Sequence, residues 1–183
     1  MLKYNLDIEG VYILEQTVIE DDRGYFTRLF SSEDLNDLGV SFTIKQINFS
    51  LTMKKGTVRG LHYQIFPFPE AKIFKCMNGS FCHTFIDMRE CSPTFLKYNQ
   101  VVLKSNESKM LHLPEGIAHG MQSLEDNSKV VYFSSESHHP ESEKLIHYAD
   151  PMFNINWPIK EIITSEKDKN TPFLNQNTIR FKK

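Results

Sequence analysis

The chain has no Cys-x-x-Cys pair, and its three cysteines, Cys76, Cys82 and Cys91, are odd in number. That pattern speaks against a disulfide framework and a zinc–cysteine site, and it fits a reducing compartment. No run approaches the roughly 20 apolar residues that a membrane span requires. The N-terminus places Asp7 and Glu9 ahead of any long apolar run, which is not the pattern of a signal peptide. There is no basic stripe, and the formal net charge is −2, so nucleic acid is not an expected partner. No Gly-x-Gly-x-x-Gly fingerprint, internal repeat or linker interrupts the sequence. The expectation from these absences is a soluble, cytoplasmic protein with one domain over residues 1–183.

What is abundant is aromatic: 14 Phe and 7 Tyr, which favour strands and aromatic-lined cavities over helical bundles. Short β-like runs recur at Val11–Leu14, Tyr25–Phe30, Lys72–Met77, Ser80–Asp87, Gln100–Leu103, Met110–Leu113 and Lys129–Phe133. Asp21-Asp22-Arg23-Gly24 reads as a turn. A short helix is expected from Ser32 to Leu38, with Ser32 as its cap and Gly39 at its end. The tail from Pro158 reads as loop and short helix. Asn78-Gly79 between two apolar runs predicts a hairpin. Its register would set Phe74 opposite His83 and Lys72 opposite Phe85, all on one face of one sheet. The fold class expected is all-β, an antiparallel sandwich or barrel.

Two segments carry chemistry. Gly56-Thr57-Val58-Arg59-Gly60-Leu61-His62-Tyr63-Gln64 and Pro114-Glu115-Gly116-Ile117-Ala118-His119-Gly120 resemble the paired motifs of cupins. That resemblance implies a cupin-like jelly roll. Metal-binding cupins have a second histidine where this chain has Gln64. His62 and His119 alone fall short of the three or four good ligands that zinc or iron sites use, so no metal is expected.

A longer ordered set is more specific. Asp22-Arg23-Gly24-Tyr25-Phe26, Gln46-Ile47-Asn48, Arg59 to Gln64, Asp87-Met88-Arg89, Pro114 to Gly120, Asn156-Trp157-Pro158 and Ser165-Glu166-Lys167-Asp168 follow one another over residues 8–174. In this order they resemble the dTDP-4-dehydrorhamnose 3,5-epimerase family. The resemblance implies an isomerase that inverts C3, C5 or both in a nucleoside-diphosphate 4-keto-6-deoxyhexose, with no cofactor. Such chemistry needs a base on one side of the sugar, an acid on the other, and a partner for the enolate oxygen.

By resemblance, His62 is the base and Asp168 its carboxylate partner. Lys72 faces the developing charge at C4, and Tyr132 is the acid. Arg59, His119, Gln46 and Asn48 line the nucleotide-sugar pocket. Arg23 and Phe26 reach the nucleotide across a homodimer interface, and a dTDP-linked sugar is the substrate. Taken singly, each residue has a plainer reading: His62 a structural histidine, Lys72 a solvated strand lysine, Asp168 a helix-capping acid, Tyr132 a barrel aromatic, Arg59 and Arg23 surface charges. The chain also departs from the family pattern. His83 stands in place of an aspartate, Arg28 of a glutamate, Ile47 of an aspartate, and Ser137-His138 of two tyrosines. By the hairpin register His83 shares a face with Lys72, which places it in the pocket; together the departures predict a changed substrate or inversion at only one carbon. The alternatives are a metal-dependent cupin enzyme, or a sugar-nucleotide binding protein whose catalysis His83 has impaired.

Overall fold

The structure, a computed structural model, describes residues 1–174. Strands β1 (Leu2–Asn5), β2 (Tyr12–Glu15), β10 (Lys109–Leu113), β7 (Lys72–Asn78), β12 (Ser128–Ser134) and β5 (Gln46–Thr52) form one antiparallel sheet, in that order. Strands β13 (Glu143–Leu145), β6 (Val58–Gln64), β11 (Ile117–Ser123), β8 (Ser80–Asp87) and β9 (Tyr98–Lys104) form a second. A separate hairpin joins β3 (Val18–Asp21) to β4 (Gly24–Thr27). The helices α1 (Ser32–Asp37) and α2 (Glu166–Lys169) are short. The all-β sandwich expected from the sequence is the fold observed.

Strand alternation sorts side chains into three apolar layers. Phe74 and Cys76 from β7 meet Phe81 and Phe85 from β8 between the sheets, with Leu111 and Val130. The intervening residues point outward. Ile73, Phe133 and Leu14 pack beneath Leu35 of α1 and Phe42. Leu61, Ile86 and Ala118 pack beneath Ile146, Phe153 and Trp157. Each fully buried large side chain contributes about 1.5–3 kcal/mol. The second sheet is thus covered on both faces, which is why all eight residues of β8 are buried.

The hairpin expected at Asn78-Gly79 does not form. β7 pairs with β10 and β12, whereas β8 pairs with β11 and β9. The chain instead turns a corner through Gly79, at φ +70°, and passes from one sheet to the other. A Cβ at Gly79 would lie 2.4 Å from Ser128 Oγ. The physical reason is burial. Both strands carry large inward side chains, and opposing sheets close a core from two sides where a single hairpin would offer one face. Phe74 and His83 do meet, with ring centroids 5.3 Å apart, but across the sandwich.

Smaller expectations are also adjusted. The run from Tyr25 stops being strand at Thr27. The cap of α1 is Ser31, whose hydroxyl accepts from the Asp34 amide at 3.1 Å, and not Ser32. The turn at Asp22-Arg23 is as expected. The segments read chiefly for their motifs, 46–52, 58–64 and 117–123, are strands. The tail holds α2, and its last residues, 175–183, lie outside the described residues.

Candidate active site

Leu61 packs outward, so the next residue, His62, points between the sheets. Gly60 makes this possible. It sits at φ +111°, and a Cβ there would lie 2.6 Å from the His119 carbonyl oxygen and 2.7 Å from Gly120 Cα. Only glycine lets β6 approach β11 this closely. The approach sets His62 directly opposite His119, just before a shift in register.

Asp168 comes to His62 from α2. The Ser165 hydroxyl caps this helix by accepting the Asp168 amide at 3.1 Å. The capping reading of this segment therefore holds for the backbone. The carboxylate goes elsewhere: Oδ1 lies 2.6 Å from His62 Nε2, and Oδ2 accepts from the Gly60 amide at 3.4 Å. Burial alone would raise the Asp168 pKa, but the hydrogen bond and charge of His62, with Gly60 and Ser165, outweigh it and hold it below the ordinary value. An ionised Asp168 accepts Nε2–H of His62. That leaves the lone pair on Nδ1.

The opposite wall comes from the first sheet. Lys72, Phe74 and Tyr132 point inward, and the Phe74 and Tyr132 rings stack with centroids 5.3 Å apart. Burial, aided by Glu70 and opposed by Arg59, raises the Tyr132 pKa, so the phenol stays protonated. Lys72 pairs with Glu70 at 3.0 Å. His62, Arg59, Lys72, His119 and Tyr132 line one cavity of about 250 Å³. A neighbouring cavity of about 340 Å³ shares His62, Lys72 and Tyr132, and adds Gln46, Asn48, Glu70 and His138. A more open cleft of about 530 Å³ near Tyr12 and Arg89 contains none of the expected residues. Its buried His112 is already bonded to the Gly10 carbonyl.

The structure thus brings together His62, Asp168, Lys72, Tyr132, Arg59 and His119, with Gln46 and Asn48 alongside, 2.7 Å from each other. It does not bring Arg23 and Phe26 into the pocket of the same chain. They lie on the β3–β4 hairpin, where Arg23 pairs with Asp21 at 2.6 Å and Phe26 is exposed. His83 needs a correction. It is fully buried and does not line the cavity. Phe74 and Phe81 flank its ring, and it reaches the cavity only through His119, Nδ1 to Nε2 at 2.9 Å. Of the other departures, Ile47 faces outward and Arg28 pairs with Asp34 at 3.5 Å, whereas His138 lines the neighbouring cavity and pairs with Glu143 at 3.6 Å.

Sequence reasoning passed over Glu70 and Glu143. For Glu70 a signal existed: opposite charges two residues apart at a strand start fall on one face. Gln64, at the position of the missing cupin ligand, is committed to structure. Its amide donates to the Phe68 and Ser137 carbonyls and accepts from the His139 amide.

A jelly-roll sandwich whose inner cavity sets a carboxylate-bound histidine and a lysine before a half-buried tyrosine is the architecture of a cupin-like isomerase. Residues 5–176 match the family model described as dTDP-4-dehydrorhamnose 3,5-epimerase. The enzyme of that name from Shigella flexneri is 34% identical over 165 residues, covering 90% of this chain and 91% of its own. The crystal structure of the Elizabethkingia anophelis NUHP1 epimerase is similar at a TM-score of 0.92 and 31% identity, covering 98% and 99% of the two chains. The Legionella pneumophila Philadelphia 1 dTDP-6-deoxy-D-glucose-3,5-epimerase, solved with dTDP-4-keto-L-rhamnose, is similar at a TM-score of 0.90 and 33% identity, covering 98% and 94%. The chain belongs to the dTDP-4-dehydrorhamnose 3,5-epimerase family.

Proposed function

We propose that this chain epimerises C3, C5 or both in a dTDP-linked 4-keto-6-deoxyhexose, using the cavity around His62. His62 Nδ1 takes the proton from the carbon next to the C4 ketone. The C–H electrons form the enolate, and its oxygen is stabilised by Lys72. Tyr132 returns a proton to the opposite face of that carbon, and the phenol and imidazole are reset by exchange with water. Asp168 holds the His62 tautomer and the orientation of its ring. Arg59 and His119 contact the sugar, while Gln46 and Asn48 lie toward the nucleotide. One observation carries this reading: His62 and Tyr132 stand on opposing sheets of the same cavity. Inversion requires that placement.

The test is incubation with dTDP-, CDP-, UDP- and GDP-linked 4-keto sugars in deuterium oxide, followed by NMR. Deuterium should enter at C3 or C5 of the dTDP sugar, and His62→Ala should abolish it. Absence of exchange on every sugar of the panel sinks the proposal. The same spectra report which carbons invert.

The working form we propose is a homodimer in the cytoplasm. Edge strand β5 turns Ile47, Phe49 and Leu51 outward, and the β3–β4 hairpin exposes Ile19, Tyr25 and Phe26. A second copy covering these would bring Arg23 and Phe26 to a pocket they do not reach alone. Light scattering should give twice the chain mass, and Phe49→Glu should halve it.

A further inference from the structure

The geometry points to His83 as a positioning residue that holds His119 neutral, so that the cavity wall formed by His119 offers the sugar an uncharged hydrogen bond. His119 sits on β11 directly across from His62 on β6, and its ring also lies against Phe74, with centroids 4.2 Å apart. Its Nε2 is 2.9 Å from His83 Nδ1, and the two rings lie nearly parallel, 26° apart. Two neutral imidazoles joined this way share one proton between those nitrogens. Whichever tautomer holds it, the contact fixes the orientation of the His119 ring and directs its remaining nitrogen, Nδ1, away from His83.

His83 cannot relay a second proton from outside. Its side chain is fully buried on β8, and its Nε2 is sealed without a hydrogen-bond partner. Any charge on the pair would have to enter through His119, beside groups that oppose it. Lys72 of β7, His62 and Arg59 of β6 and His83 itself all face this region, and Tyr132 of β12 lines the same cavity. The carboxylates near the cavity are engaged elsewhere, Asp168 with His62 and Glu70 with Lys72. Burial pushes His83 down to about 3. Burial, then repulsion from His83, Lys72 and His62, holds His119 well below its ordinary value. A carboxylate in place of His83 would do the opposite and draw a proton onto His119.

Lys72 and Arg59 are then the fixed cations of the cavity, and His119 is matched to a sugar hydroxyl instead of an anionic oxygen. The enolate charge then falls to Lys72 and not to His119.

The kinetic part of the inference rests on the epimerase reading, but its spectroscopic part does not. NMR titration of selectively labelled wild-type protein should show the His119 ring remaining neutral throughout the pH range in which the protein is folded. His83→Asp should raise the His119 midpoint into the range where the protein is folded and add a matching ionisation to the pH profile of kcat/KM for deuterium exchange. His83→Gln, which can hydrogen-bond without charge, should keep the shape of the wild-type profile. A wild-type His119 that gains a proton within that range overturns the inference without any appeal to turnover. So does a His83→Asp protein that folds and gives the wild-type profile. If that variant does not fold, the wild-type titration and His83→Gln still decide.

Discussion

Replacing Asp168 by Asn separates two contributions of the carboxylate: charge and proton placement. The bond to His62 Nε2 is 2.6 Å long and Asp168 is 5% exposed, so the interaction is charge-assisted and little screened. Two unit charges about 4 Å apart at an effective dielectric near 20 interact by about 4 kcal/mol. A fraction of that, about 1.4–2.8 kcal/mol, is expressed as charge develops on the imidazole. Asp168→Ala removes that support, weakens the base, and should slow exchange by about 10- to 100-fold. Asp168→Asn does more. The Gly60 amide points at this side chain, so the new amide is best satisfied with its oxygen toward Gly60 and its NH₂ toward His62. Nε2 must then accept, the imidazole proton moves to Nδ1, and the cavity faces an N–H where it needs a lone pair. In a serine protease triad, a carboxylate-to-amide change of this kind costs about 10⁴ in kcat. The expected order is therefore wild type, then Asp168→Ala, then Asp168→Asn slowest by about 10³–10⁴. KM should barely change, because Asp168 does not line the cavity. Deuterium exchange followed by NMR gives the rates, and nitrogen-15 shifts of His62 give the tautomer. The reasoning is refuted if a folded Asp168→Asn protein works within tenfold of wild type, or keeps its His62 proton on Nε2.

Tyr132→Phe should uncouple the two half-reactions: His62 still exchanges the substrate proton with deuterium oxide, while epimerised product falls at least 100-fold. Equal loss of both would remove Tyr132 from the acid role. Acidification should unfold the protein through its buried neutral histidines. His83 is pushed down to about 3 and His112 to about 4, both chiefly by burial. The unfolded chain, with ordinary values near 6.5, binds more protons in this window. Their contribution is thus complete above about pH 6.5 and is lost on going lower, reaching about 5 kcal/mol together by pH 4.5. Urea midpoints that stay flat from pH 7 to 4.5 would contradict it. Gly60→Ala should destabilise by about 3 kcal/mol or more. It combines a left-handed φ of +111° with a Cβ 2.6 Å from the His119 carbonyl oxygen. A thermal melt unchanged from wild type would mean that β6 and β11 can separate freely.

Much of the candidate site's membership was legible because the residue types stand at motif spacing, and alternation then says which of them share a face. Leu61 outward implies His62 inward, and Phe133 outward implies Tyr132 inward. What alternation cannot say is which sheet a strand joins. Asn78-Gly79 is a strong local hairpin signal, yet the eight buried residues of β8 need partners on both edges and cover on both faces. Core burial outweighed local turn preference, and the two strands parted. The same limit hid the His83–His119 contact and the sealing of His83, since both depend on β8 lying beside β11.

That parting also bears on the chemistry. Had β7 and β8 formed one hairpin, Lys72 and His83 would share a wall, and the strands beside β8 would extend that same sheet. His62 would then stand on the side of Lys72 and Tyr132, with nothing facing it. Proton removal and return would both occur on one face of the sugar, which exchanges hydrogen without inverting carbon. The corner at Gly79 sends β8, β11 and β6 to the second sheet and leaves β7 and β12 in the first. His62 and His119 consequently face Lys72 and Tyr132 across the cavity. The substrate can be approached from two sides because the chain folds as a sandwich there, and the residue that turns it is a glycine whose place no side chain could take without meeting Ser128.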